Sequence, residues 1–357
     1  MDWKRHGNQI DKGRLLGENR DVAVVSRVGG CRDVNAARHD VCANLRIIGS
    51  AGLNQCDSCG LENAYCECVP PWRFFASAEL LWLDRTQGDS QVFIADQPDL
   101  LVPTFILATD VADLLYDVEA GVRGTIGVEH ANGNAAEIRY FAVTDQGVTA
   151  IATGSNLFSG IFNEASTNTG VTSMMTVLSS DVHSGELNWL TRGWGRIRPI
   201  FGARWLWLSE QWDVFESALS TTGTSSEVDN DMYGGQLGFD VCLWESNRKL
   251  RVDARFLGAI LGNDADLRAN RHDTTTVFSS FSAGNSEVAW AGQIDVTARW
   301  RPTGNLTLLL GYTGLWMDNV AQITDQTDNF TLSTGAGTFD LSNVTFQGGR
   351  FGIELAW

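Results

Sequence analysis

From Trp72 to the last residue the chain keeps returning to one pattern, segments of about ten residues in which apolar and polar side chains alternate with a period of two. That period puts successive side chains on opposite faces, as an extended strand does and a helix does not. Residues 287–300 show it most clearly: Val288, Trp290, Ile294, Val296, Ala298 and Trp300 share one face, and Glu287, Gln293, Asp295, Thr297 and Arg299 the other. Residues 250–261 repeat it, with Leu250, Val252, Ala254, Phe256 and Ile260 against Arg251, Asp253 and Arg255. The same test selects 72–85, 119–129, 135–144, 182–190, 197–210, 233–244, 305–316 and 344–357, which makes ten strands. Residues 92–95 and 105–108 could add a hairpin and raise the count to twelve. Six prolines against 37 glycines suit strands and tight turns.

The connections between these segments alternate between long and short. Residues 86–118, 145–181, 211–232, 262–286 and 317–343 are long, and 130–134, 191–196, 245–249 and 301–304 are short. Charge follows the same division. The long connections carry 21 acidic residues against Arg268 and Arg271, whereas the short ones carry Arg192, Arg196, Arg248, Lys249 and Arg301 against Glu245. Short turns at one end and long loops at the other describe an up-and-down barrel set in a membrane. The sequence therefore predicts an all-β protein: a transmembrane up-and-down antiparallel β-barrel of about ten strands over 72–357.

Alternation alone does not say which face is inside. The tryptophans decide it. Twelve of the 13 follow residue 71, and Trp72/Trp82 and Trp290/Trp300 each lie ten residues apart on one face. At ~3.3 Å per residue and a tilt near 40°, ten residues rise about 25 Å, the height of the apolar band of such a barrel. Trp72, Trp82, Trp290, Trp300, Trp316 and Trp357 are thus expected at the lipid interface, with outer-membrane lipid as partner. The opposite face should line the lumen with Glu79, Arg123, Glu137, Arg139, Glu186, Arg198, Arg204, Asp240, Arg251, Asp253, Arg255, Asp295, Arg299, Arg350 and Glu354. Ten strands enclose little bore, so these charges should interlock and leave the lumen narrow.

The chain ends Arg350-x-Gly352-x-x-Leu355-x-Trp357, which looks like the signal by which outer-membrane assembly machinery engages a last strand. Several segments together resemble a planctomycete family of outer-membrane β-barrel proteins, similar in pattern to pore-forming outer-membrane proteins of legionellae. They are 75–82, 121–127 with 136–141, 186–188 with 202–210, 233–238, 311–316 and 348–357, in that order. The resemblance spans about 72–357 and implies a barrel, residence in the outer membrane and no enzymatic activity.

Residues 1–71 are expected to be an irregular, disordered leader; within 1–70, nine basic side chains balance nine acidic ones. The net charge of −17 therefore arises beyond it and argues against nucleic acid as partner. No apolar run reaches transmembrane-helix length and no signal peptide is visible; the longest N-terminal run is 22–25. Six cysteines fall in the leader: Cys31, Cys42, Cys56, Cys59, Cys66 and Cys68. Cys56-x2-Cys59 is a proper zinc half-site, but Cys66-x-Cys68 is not, so disulfides or disorder are favoured over metal. Cys242 should face inward and be inert. No metal or cofactor is expected. The acidic groups Asp229/Asp231, Asp264/Asp266 and Asp325/Asp328 lack the full spacing of a calcium loop and read as solvated.

Three functions follow. The first is a structural, surface-exposed barrel with long acidic extracellular loops and a charge-filled lumen. The second is a narrow pore or transporter for small solutes. The third and least favoured is a rim-located hydrolase built on Asp181 and His183, where a long loop enters a strand.

Overall fold

The computed structural model describes residues 72–86, 92–96, 106–110, 118–159, 162, 171–216, 223–246, 249–273 and 276–357. All belong to the unit Val69–Trp357. The expectations for the leader and its six cysteines lie outside the described residues.

In chain order the elements are β1 (Trp72–Arg85), β2 (Val92–Asp96), β3 (Ile106–Asp110), β4 (Glu119–His130), β5 (Ala135–Thr153), β6 (Leu157–Ser159), β7 (Ser173–Leu190) and β8 (Ile197–Phe215). There follow β9 (Gly223–Ser246), β10 (Leu250–His272), β11 (Val277–Trp300), β12 (Leu306–Val320), α1 (Ile323–Gln326), β13 (Phe330–Thr331), β14 (Ala336–Gly337) and β15 (Ser342–Ala356). Ten strands close into a hydrogen-bonded ring in the order β1-β15-β12-β11-β10-β9-β8-β7-β5-β4, a β-barrel-like fold. Every neighbouring pair is antiparallel. β1 seals the ring, pairing with β15 from Phe75↔Ala356 to Arg85↔Phe346 and with β4 from Trp72↔His130 to Leu83↔Glu119. The twelve-strand alternative is corrected: β2 and β3 do form a hairpin, but it joins β6 in a separate three-stranded sheet.

The wall is greasy outside and charged inside. Leu310 is 64% exposed, whereas Arg123 and Asp295 are each 2% exposed. Register links the outward residues into a continuous row, Phe74 to Val128 to Ala136 to Trp189 to Phe201 to Leu237, through six adjacent strands. A contiguous apolar surface of that reach is a liability in water and a necessity in lipid.

Several strands run well past the predicted ends. β9, β10 and β11 have 24, 23 and 24 residues, so much of the predicted long connections 211–232 and 262–286 is strand. At ~3.3 Å per residue and a tilt near 40°, a 23-residue strand rises roughly 55 Å, about twice the apolar band. In the upper half the alternation continues with its sign reversed. Along β10, Ile260 points out while Arg255 points in; beyond Gly262, Asp264, Asp266 and Arg268 point out while Ala265, Leu267 and Ala269 point in. β8 does likewise, with Trp212 and Val214 buried and Asp213 turned outward. The outer face turns polar there, and the apolar side chains pack on the inner one.

Candidate functional site

The lumen is the part of the molecule where polar chemistry converges, and it is layered. Read upward from the short-turn end, β1 sends in Glu79, Leu81, Leu83 and Arg85, and β8 sends in Arg204, Leu206, Leu208 and Glu210. Both strands thus contribute a charge, two leucines and a second charge, because a period of two fixes which residues face in.

The first layer is a belt of ion pairs that crosses the lumen. Asp295 of β11 accepts from Arg123 of β4 at 3.1 Å and from Arg139 of β5 at 3.1 Å. Between β11 and β5 four strands intervene either way round the ring, so this carboxylate ties opposite walls together. Gln293 Nε2 at 2.9 Å and the Thr313 hydroxyl complete its shell. Arg255 bridges Glu137 and Asp240. Arg299 joins Asp253 (3.2 Å) and Glu354 (2.8 Å), and Arg350 pairs with Glu79 and Thr297. Glu186 lies 4.0 Å from Arg204, accepts from Asn188 and Gln236, and extends the network sideways, while Arg204 donates to Gln293 at 2.7 Å. Burying an ion costs several kcal/mol unless it is paired and hydrogen-bonded, and here charge-assisted bonds supply that pairing. Arg251 and Arg198 sit lower and more exposed, Arg251 on Asp253 and Arg198 3.4 Å from Glu129.

Above the belt comes an apolar ring that includes Leu81, Leu83, Phe141, Leu206, Leu208, Leu315, Met317 and Phe346. The expectation of a charge-filled lumen is corrected here: ionised groups occupy a belt and a smaller second layer, and packed hydrocarbon separates them. An interior closed to bulk water gains by packing apolar side chains, so it need not stay polar along its whole height.

The second polar layer holds a plug. At the end of β12, Asn319 adopts a left-handed conformation (φ 66°) and the chain turns into the lumen. Gln322, Ile323, Thr324, Asp325, Gln326 and Thr327 are all buried. Arg85 pairs with Glu210 and donates to Gln322 Oε1 at 3.1 Å, while Glu210 accepts from the Ile323 backbone N–H at 2.8 Å. Asn230 clasps Ala321 twice, donating to its carbonyl at 2.8 Å and accepting from its N–H at 2.9 Å. Asp325 accepts from the Ser342 hydroxyl, so the reading of Asp325 as a solvated loop residue is corrected, while Asp328 is exposed. An upper apolar cluster, including Trp212, Val228, Leu267, Ile323 and Phe330, packs around the plug. Sequence reasoning missed Gln322, Ile323, Thr324 and Gln326 because 317–343 has no periodicity; the one signal toward this layer was Glu210, an acid on the inward face.

The remaining predicted residues lie on the outer wall or in the last strand. Trp72, Trp82, Trp290, Trp300, Trp316 and Trp357 are each between 43% and 63% exposed. The ring of Trp316 lies flat on Gly292, where a Cβ would come within 1.6 Å of a ring carbon, so only glycine admits that contact. In the last strand, Arg350 and Gly352 face the lumen, Leu355 faces out, and Trp357 exchanges backbone hydrogen bonds with Phe74 at 3.0 Å. Cys242 is buried and free. Asp229 and Asp231 face outward opposite Asp266 and Asp264. Asp181 and His183 also point outward, since their neighbours Val182 and Ser184 fill the inside. They do not pair: Asp181 accepts from the Asp145 backbone at 2.7 Å, and His183 meets the Tyr140 hydroxyl at 2.6 Å. Among the described residues, no group of three or more His, Cys, Asp or Glu side chains could hold a metal ion.

These features define a ten-stranded barrel-like protein with a bridged and plugged interior. No protein-family model matches the chain, and no curated protein matches it. Among solved structures it is similar to the outer membrane protease OmpT from Escherichia coli, at 10% identity over 81% of this chain and 98% of that one, with a TM-score of 0.48. It is also similar to the Pseudomonas putida toluene transporter TodX (9% identity, 80% and 90% coverage, TM-score 0.31) and to a Pseudomonas aeruginosa FadL homologue (8%, 81% and 90%, 0.23). Likeness at this level carries no statement about activity.

Proposed function

We propose that this chain is an outer-membrane β-barrel protein of structural and surface-exposed type, closed to solutes in its resting state. The observation that carries the reading is the cross-lumen belt: a carboxylate on β11 is bonded to arginines on β4 and β5, so paired side chains span the lumen at that height. The outward apolar row supports residence in a bilayer, and the arrangement of Arg350, Gly352, Leu355 and Trp357 on β15 supports delivery through barrel-assembly machinery. The ordered resemblance to planctomycete barrels agrees with that location. On this reading the protein is not an enzyme; the separate partners of Asp181 and His183 favour it over a rim hydrolase.

A second reading, a gated conduit for small solutes, is favoured by one observation: the plug is a single segment whose entry is anchored by the polar side chains Arg85, Glu210 and Asn230. Purified protein in planar bilayers distinguishes the two. The closed barrel gives no discrete conductance steps, whereas frequent steps from the unmodified protein would reject it.

A further inference from the structure

A groove lies on the outer wall near the short-turn end. Its walls are the rings of Trp72 and Trp189, its floor is Val128 and Ala136, and its lip is the turn bearing Asn132 and Asn134. Register explains the trough. Val128 pairs with Ala136 and Ala136 with Trp189, while Trp72, opposite His130, stands two residues along β1 from Phe74, the partner of Val128, so the two indole rings flank the Val128–Ala136 pair on a diagonal. The cavity holds 160 Å³, room for roughly five waters at about 30 Å³ each.

One arginine, Arg192, is exposed and adjoins the lip. The backbone N–H of Arg192 donates to Asn134 Oδ1 at 2.7 Å, and its side chain lies along Gly133, which has a positive φ of 92°. Arg198, which faces the lumen beside Glu129, donates to the Gly133 carbonyl at 2.9 Å and so braces the turn from within. His130 stands edge-on to Trp72, centroids 4.4 Å apart, and its Nδ1 accepts from the Asn132 N–H at 3.2 Å. A neutral ring in that arrangement carries its proton on Nε2.

We propose that this groove binds a phospholipid with an anionic headgroup, its phosphodiester against Arg192 and the first part of its acyl chain in the trough between Trp72 and Trp189. The inference rests on the membrane reading above. Two features argue for that occupant together: the trough continues the lipid-facing row of the wall, and it opens at the end where arginines gather. Cation, then aromatic margin, then hydrocarbon is the order in which a phospholipid presents phosphate, glycerol and chain.

The test uses the full chain, delipidated in non-ionic detergent, with short-chain phosphatidylglycerol or phosphatidylcholine added while the melting temperature is followed. A ligand bound by the folded state raises that temperature with concentration. Phosphatidylglycerol should act at tenfold or more lower concentration than phosphatidylcholine, and inorganic phosphate should have no effect. Arg192→Gln should abolish the preference and Arg192→Lys should retain most of it. Ala136→Leu, which fills an outward-facing trough, should remove the response to both lipids while leaving the lipid-free melting temperature unchanged. Equal responses to the two lipids, or unaltered responses in Arg192→Gln and Ala136→Leu, would overturn the site while leaving the barrel reading intact. Failure of the unmodified protein to insert into vesicles of either lipid would overturn both.

Discussion

Replacing Asp295 by asparagine tests whether the lumen is sealed. The carboxylate accepts from Arg123 and Thr313 on one oxygen and from Arg139 and Gln293 on the other. Asparagine keeps the volume and one acceptor, but it turns an NH2 group toward two donors and leaves two buried guanidinium groups without their shared anion. Breaking a buried pair from one side costs about 3–5 kcal/mol, because the surviving charge stays desolvated. Were the same groups in a water-filled channel, the loss would be about 0–1 kcal/mol. The assay is urea unfolding of the protein reconstituted in phospholipid vesicles, followed by tryptophan emission and extrapolated linearly to zero denaturant. The expected loss is about 4 kcal/mol, the middle of the range for a broken buried pair. Adding Arg139→Met to Asp295→Asn should recover part of it, since the double variant buries one guanidinium fewer, and Glu137, 3.8 Å from Arg139, keeps its bonds to Arg255. A loss below about 1 kcal/mol would mean water screens the belt, and the sealed lumen would be wrong.

Three further outcomes follow from the same layers. Ile294→Arg, outward and midway between Trp290 and Trp300, should cost about 2–4 kcal/mol by vesicle unfolding, as cations do at the bilayer midplane; a neutral result would mean the wall does not face lipid. Trp212→Ala removes a buried ring and its 2.6 Å bond to Thr176, and should cost about 3–5 kcal/mol in the upper half. Hydrogen exchange should then show lost protection at 174–180 and 208–214 with β1, β4 and β15 unchanged, and uniform loss would refute a separately packed upper half. Glu210→Gln loosens the plug from Arg85 and Ile323; limited proteolysis should then cut within 321–341 faster than in the unmodified protein, and equal rates would show that this carboxylate does not hold the plug.

The ten strands were legible because lipid on one side and ion pairs on the other give the strongest contrast that alternation can carry. Within 287–300 every outward residue from Val288 to Trp300 is apolar or small, so the strand declared itself. Its upper half did not. At 264–269 the apolar residues are Ala265, Leu267 and Ala269, now on the face that had carried charge lower down, and the reversal resembled a loop. The plug was illegible for another reason. Gln322 and Gln326 are polar yet buried, and their partners Arg85, Asn343 and Asp340 lie too far away in sequence to leave a motif. Which partners the belt charges take was likewise closed to sequence reasoning, because Asp295 reaches residues 156 and 172 positions away.

The reversal of alternation along β8 and β10 also fixes how the outer half can behave. The same strands pass from the greasy zone to the wet one without a break, and no hinge of loop intervenes in β9, β10 or β11. If the lower half sits in a bilayer as proposed, the upper half is carried on the same unbroken strands, and its waterline is written into its residues. Whatever approaches from outside meets its acidic flank at a set height and in a set pose.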